Sequence, residues 1–124
     1  MSQFVTYNGI VGFVLEQRRQ DLGYDQGQVA KAAGISQPVL SRLEKGKASI
    51  TIDQLFSISK ALNINPSWAI EKAQDHVVTF EKDNGIKVTT SKQSDSTEKN
   101  GTQGSSVLAG AAIGAVLTLL LSKK

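Results

Sequence analysis

The sequence predicts an all-α fold: a five-helix bundle containing a helix-turn-helix, followed by a β-hairpin, a flexible linker and a C-terminal hydrophobic helix. Three observations predict it. Apolar residues recur at helical spacing through the first 74 residues, capping residues and glycines cut that pattern into short pieces, and an uncharged run lies near the C-terminus. The segments are 1–74 for the helical domain, 75–91 for the hairpin, 92–105 for the linker and 106–122 for a transmembrane helix.

Met1 to Gly9 reads as a short polar lead, without the basic start and small-residue cleavage site of a signal peptide. The first helix runs from Ile10 to Asp21, with Val11, Val14, Leu15 and then Leu22 inward and Glu16, Gln17, Arg18 and Gln20 outward; Gly23 ends it. Asp25 caps the second helix, whose small apolar stripe is Val29, Ala30 and Ala33. Gly34 supplies the left-handed residue that stops it, and Ile35 plugs the corner. Ser36 caps the third helix, which turns Val39, Leu40 and Leu43 inward and closes at Gly46. Thr51 caps the fourth, with Ile52, Leu55, Phe56 and Leu62 on its apolar face and Ile58 off it. Asn65 and Pro66 start the fifth, and Trp68 reads as a core aromatic.

Composition sets bounds on function. A chain of 124 residues holds a single core, and the absence of cysteine excludes disulfides and thiolate metal sites. His76 stands alone, with no cluster spaced for a metal, and reads as a surface residue. No nucleophile and base pair and no phosphate-cradling glycine loop is present, so neither an enzyme nor a cofactor is expected. The net charge of +3 is too small to argue for nucleic acid by itself. Residues 1–74 carry eight Lys/Arg against six Asp/Glu, so the position of each charge matters more than the total.

The stretch Tyr24 to Gly46 holds two short helices around a glycine-dependent turn, a geometry that lets the second helix project into a DNA major groove. Gln26, Ala30, Gly34, Ile35, Ser36, Leu40, Ser41, Leu43, Glu44 and Gly46 fall in the order and spacing of one known group. The chain resembles the phage repressor/Cro-like (XRE-type) helix-turn-helix family from about Ile10 to Ala73. The resemblance implies that Arg19 pairs with Glu44, clamping the first helix to the recognition helix. It also implies that Gln26 holds a phosphate and that Gln37 reads a base. A glutamine amide suits adenine, accepting from N6 and donating to N7. Ser36, Ser41 and Arg42 lie on or beside the exposed face, and Lys45 and Lys47 follow it where a backbone phosphate is expected. Pro38 departs from the pattern, because a proline disfavours α geometry at Gln37.

Beyond the bundle, Val78 and Phe80 alternate with Val77 and Thr79, and Ile86 and Val88 answer them across Asp83-Asn84-Gly85. An Asn-Gly turn between alternating runs predicts a hairpin, packed on the bundle or paired with a second copy. The linker is rich in Ser, Thr, Gly and Gln and lacks apolar periodicity. Val107 to Leu121 carries no charge, and Ser106, Gly110, Gly114, Thr118 and Ser122 recur every fourth residue, a stripe suited to helix contact in lipid. A buried oligomerisation helix in water is the other reading of that run. The expectation is a homodimeric regulator of transcription that binds double-stranded DNA, tail-anchored in a bacterial inner membrane through residues 106–122 with its head in the cytoplasm. The alternatives are a wholly cytoplasmic protein, and a membrane-anchored module that docks other proteins through the same head.

Overall fold

The computed structural model describes residues 2–90, 105–107 and 110–122. In chain order they form β1 (Ser2–Thr6), α1 (Tyr7–Asp21), α2 (Gln26–Ala33), α3 (Gln37–Glu44), α4 (Ile52–Ala61), α5 (Pro66–Asn84), β2 (Lys87–Thr89), β3 (Ser105–Val107) and α6 (Gly110–Ser122). Five helices form the bundle, as the periodicity predicts. The three short strands make a parallel sheet of order β2-β1-β3, in which Val5 pairs with Val88 and Gln3 with Ser106.

Local chemistry sets the helix starts. Thr6, Asp25, Ser36 and Thr51 are extended and accept from the backbone N–H three residues on, with complete capping boxes at Asp25/Gln28 and Thr51/Gln54. Such a cap satisfies one of the orphan donors that every helix N-terminus leaves. Asn65 has cap geometry without a side-chain bond, and Pro66 follows at the first turn.

The core forms where Ile10, Val11, Val14 and Leu15 of α1 meet Val29, Leu40, Leu43, Leu55, Ile58, Ala69, Ala73, Val77 and Phe80. Glycine allows the closest approaches. A Cβ at Gly12 would lie 2.1 Å from the Leu43 carbonyl oxygen, so α1 and the end of α3 pack backbone to backbone. Gly46 has φ +73°, and a Cβ there would lie 2.6 Å from the Gly9 Cα.

The structure corrects several expectations. Among the described residues of 75–91, up to 90, no hairpin forms: residues to Asn84 continue α5, and Gly85, left-handed at φ 66°, is its C-cap. Val77 and Phe80 extend the buried row Ala69, Ala73 at helical spacing, while Val78 is exposed. That row satisfies one continuous helix against the core, and the Asn-Gly pair ends it instead of reversing a strand: Asn84 Nδ2 donates to the Thr79 carbonyl at 2.9 Å. Only Lys87–Thr89 is extended, and it pairs with β1 rather than with its own neighbours.

The polar lead is also structured. Val5 is fully buried, and α1 begins at Tyr7, three residues early. On α4 the inward face is Leu55, Ile58 and Leu62, whereas Ile52 is 80% and Phe56 56% exposed. Trp68 is 36% exposed and sits beneath the Lys72 ammonium, 5.7 Å from the ring centroid, so it is no core aromatic. His76 is half-buried, edge-on to Phe13 at 5.8 Å, and burial pulls its pKa below the ordinary value.

The linker, 92–105, lies outside the described residues up to 104, and Ser105 begins β3. Within 106–122 the helix covers Gly110–Ser122, 13 residues or about 20 Å at 1.5 Å per residue. Among the described residues no helix is long and apolar enough to cross a membrane. α6 lies against α1 and α5, with Ile113 and Leu117 buried and Gly114 against the Phe13 ring.

Glycine geometry gives a graded test. Gly34→Ala meets nothing within 4 Å, so it should lose only the left-handed cost of about 1–2 kcal/mol. Gly46→Ala adds the collision with Gly9 and should lose distinctly more than ~2 kcal/mol in urea unfolding.

Candidate nucleic-acid interface

The turn between α2 and α3 is made by three residues. Gly34 adopts φ 74° and its N–H reaches the Ala30 and Lys31 carbonyls, Ile35 N–H bonds the Ala30 carbonyl at 3.0 Å, and Ser36 caps α3. Leu40 and Leu43 bury the inner face of α3, which leaves the opposite edge outward. Ser36, Gln37, Arg42, Lys45 and Lys47 are exposed, and Gln26 and Ser41 partly so. Among the described residues Arg42, Lys45 and Lys47 carry no ion pair. Gln37 is helical despite Pro38, because proline in the first turn displaces no intrahelical bond.

Behind this edge stands a buried ion pair. Arg19 Nε donates to Glu44 Oε2 at 2.7 Å and its Nη2 to Oε1 at 3.1 Å, a two-pronged contact, while Nη1 donates to the Tyr24 carbonyl at 2.9 Å. The hydrogen bond to Glu44 raises the Arg19 pKa, against the opposing effect of burial. The guanidinium therefore stays charged at any working pH. Glu16, beside this pair, is held above the usual carboxylate range by burial and then by repulsion from Glu44.

The sequence does not disclose how the two glutamines are joined. Gln26 Nε2 donates to Glu44 Oε1 at 2.8 Å, and Gln26 Oε1 accepts from Gln37 Nε2 at 3.4 Å. The first residues of α2 and α3 thus sit side by side, linked to the ion pair. Their equivalent positions in the two helices hint at this, but contact needs the crossing angle that Gly34 sets. The residues named from sequence as Gln26, Gln37, Arg19 and Glu44 come together in one polar cluster; Arg42, Lys45 and Lys47 lie along and beyond α3 instead.

A short capped helix, pinned from behind and following a glycine corner, defines a helix-turn-helix domain. Residues 15–68, under half of the chain, match the family model described as helix-turn-helix, and this segment is an XRE-type helix-turn-helix domain. Over 70 residues the chain is 34% identical to the HTH-type transcriptional regulator DicA of Escherichia coli (strain K12), covering 56% of this chain and 52% of that one. It is 33% identical over 60 residues to the HTH-type transcriptional regulator SutR of the same organism, covering 48% and 34%. The chain therefore spans about half, or less, of the length of the curated relatives it matches. Among solved structures it is similar to the clp gene regulator ClgR from C. glutamicum, with a TM-score of 0.54 and 26% identity over 56% of this chain and 90% of that one. A mutant of the restriction-modification controller protein C.Esp1396I shares the fold, with a TM-score of 0.55 and 22% identity over 58% and 94%.

Removing one partner of the ion pair strands a buried charge. Arg19→Met should cost about 3–5 kcal/mol in chemical denaturation. The Arg19→Met/Glu44→Met double variant should recover part of that loss, giving a favourable coupling energy between the two sites in a double-mutant cycle.

Proposed function

We propose that the chain is a sequence-specific regulator of transcription that binds double-stranded DNA as a homodimer, with α3 in the major groove. The observation that carries this reading is the outward edge of α3, where a base-reading amide and unpaired cations stand on a helix locked from behind. Gln37 is at the start of α3, where such helices meet base edges, and Arg42 lies further along the same helix. In this reading Lys45 and Lys47, which follow the helix and are exposed, hold backbone phosphates together with Gln26, Ser36 and Ser41. Neither α2 nor α3 has an acid in its first turn, so the positive ends of both helices favour an anion. Asp25 opposes this locally, with one oxygen occupied by the Gln28 N–H at 2.7 Å. The similarity to DicA, SutR and ClgR, all regulators by name, supports the same class.

A second reading, docking of another protein by the head, is favoured by the exposed apolar pair Ile52 and Phe56, one turn apart on α4. Selection of duplexes from a random pool by the full chain separates the two. The DNA reading expects an enriched palindrome with half-sites about one helical turn apart, and no enrichment transfers the weight to docking. In the enriched site, Lys45→Ala or Lys47→Ala should weaken all sequences alike and lower the salt slope by about one each. Gln37→Ala should relax preference at one base pair per half-site instead.

Attachment to the inner membrane through residues 106–122 is a separate proposal. The uncharged run Val107 to Leu121 favours it, and the burial of Ile113 and Leu117 on the head opposes it. Recovery of the full chain from cell membranes by detergent but not by high salt is the result expected of an anchor. Recovery in the aqueous fraction would make α6 part of a cytoplasmic head.

A further inference from the structure

The fold puts the segment from Ser105 to Ser122 to two uses. Ser105–Val107 form β3, with Ser105 opposite Ser2, Ser106 opposite Gln3 and Val107 opposite Phe4 of β1, and Gly110–Ser122 form α6. Divided in this way, the segment offers a helix of 13 residues, about 20 Å long, well short of the roughly 30 Å hydrocarbon layer of a bilayer. Taken as one continuous helix, Ser105 to Ser122 would measure about 27 Å, and no charged side chain lies within it. The residues spent on β3 are among those a spanning helix lacks.

We propose that Ser105 to Ser122 is a two-state segment whose partner is a lipid bilayer, with the β1–β3 pairing as its latch. With the latch closed it is a strand and a short helix on the head; with the latch open it is one continuous helix in the membrane. The inference rests on the membrane-attachment reading above, and it accounts for the observation that opposes that reading, because Ile113 and Leu117 are buried on the head only in the closed state. The two states exclude each other. An extended segment cannot enter hydrocarbon with its N–H and C=O groups unpaired, so β3 either stays beside β1 or winds into the helix, where those groups pair within the segment. Apolar surface favours opening. On the head, α6 buries Ile113 and Leu117 but leaves Ala115 and Leu119 outward, Leu119 at 64% exposure, whereas lipid covers an apolar helix on every side. Opening is opposed by loss of the pairing with β1 and by exposure of the Phe13 ring, which lies against Gly114. Residues 91–104 hold no apolar side chain and can bridge at most about 50 Å, enough for α6 to leave while the head stays in water.

The chain has no cysteine, so one introduced disulfide can lock the latch. Gln3→Cys with Ser106→Cys places the two thiols at opposite positions of β1 and β3, and neighbouring strands about 4.8 Å apart are within disulfide range. The full chain, oxidised or reduced, is diluted from detergent into phosphatidylcholine vesicles, and the fraction that floats with them after an alkaline wash is measured. Circular dichroism follows its helix content. The wild type and the reduced pair should float and gain helix relative to the chain in buffer. The oxidised pair should stay in the aqueous fraction with its helix content unchanged, and reductant should return it to the vesicles. Equal flotation of the oxidised and reduced pairs would overturn the inference and leave the membrane reading standing. So would failure of the two thiols to join in a chain that thermal unfolding shows to be folded. A wild-type chain that does not float would remove the membrane reading, and this inference with it.

Discussion

The buried pair of Arg19 and Glu44 is the constraint from which the arrangement of the recognition edge follows. α3 has only eight residues, too few to persist as a helix in water without help from its surroundings. It is held by apolar burial of Leu40 and Leu43, which sets depth but leaves rotation and slide loosely defined. The two-pronged contact from α1 supplies direction, because a planar guanidinium meets a carboxylate well in one orientation. Gly12 makes this reachable: without a side chain there, the α1 backbone comes close to the Leu43 and Glu44 carbonyls. Such a pair adds little net stability over a well-packed apolar substitute, and its value here is to fix where α3 points.

Short-range chemistry was legible in the sequence, and long-range pairing was not. Asp25, Ser36, Thr51 and Gly34 do what their residue types predict, since a cap or a left-handed turn is decided within three or four residues. The α5 extension shows the opposite case. Val77 to Phe80 fits both an alternating and a helical pattern over so few residues, and only the earlier Ala69 and Ala73, buried against the rest of the bundle, make the helical one win. β1 was invisible for a related reason: its partners Lys87–Thr89 and Ser105–Val107 lie some 80 to 100 residues away. On α4, Ile52 and Phe56 share a turn with Leu55, so spacing alone could not say which of two adjoining faces turned inward.

At the candidate site one connection between residues was readable from the sequence, and the other was not. Arg19 with Glu44, and Gln26 with Gln37, are separated by 25 and 11 residues. Family likeness supplied the first pair. The second follows from the crossing of α2 and α3, which brings two N-terminal residues together above the same carboxylate. Gln26 is consequently a tethered side chain rather than a freely rotating one. One of its hydrogens is already committed to Glu44, which leaves only the other for an outside acceptor.

α1 has little of the one-sided character expected of a surface helix, and its neighbours explain why. Gly12 and Arg19 meet α3, the Phe13 ring meets His76 of α5, and Gly9 and Phe13 meet Ile113 and Gly114 of α6. Packing on all these sides accounts for the burial of every residue from Gly9 to Leu15 except the half-buried Phe13. It also makes α1 an element that touches both α3 and the C-terminal helix. Close-packed interiors transmit displacement, so a shift of α1 caused by loss of α6 would be felt first at Gly12 and Arg19, the contacts that aim α3. The C-terminal helix and the candidate DNA surface are on different neighbours of α1, yet they share this one support, and neither can be understood as an independent appendage.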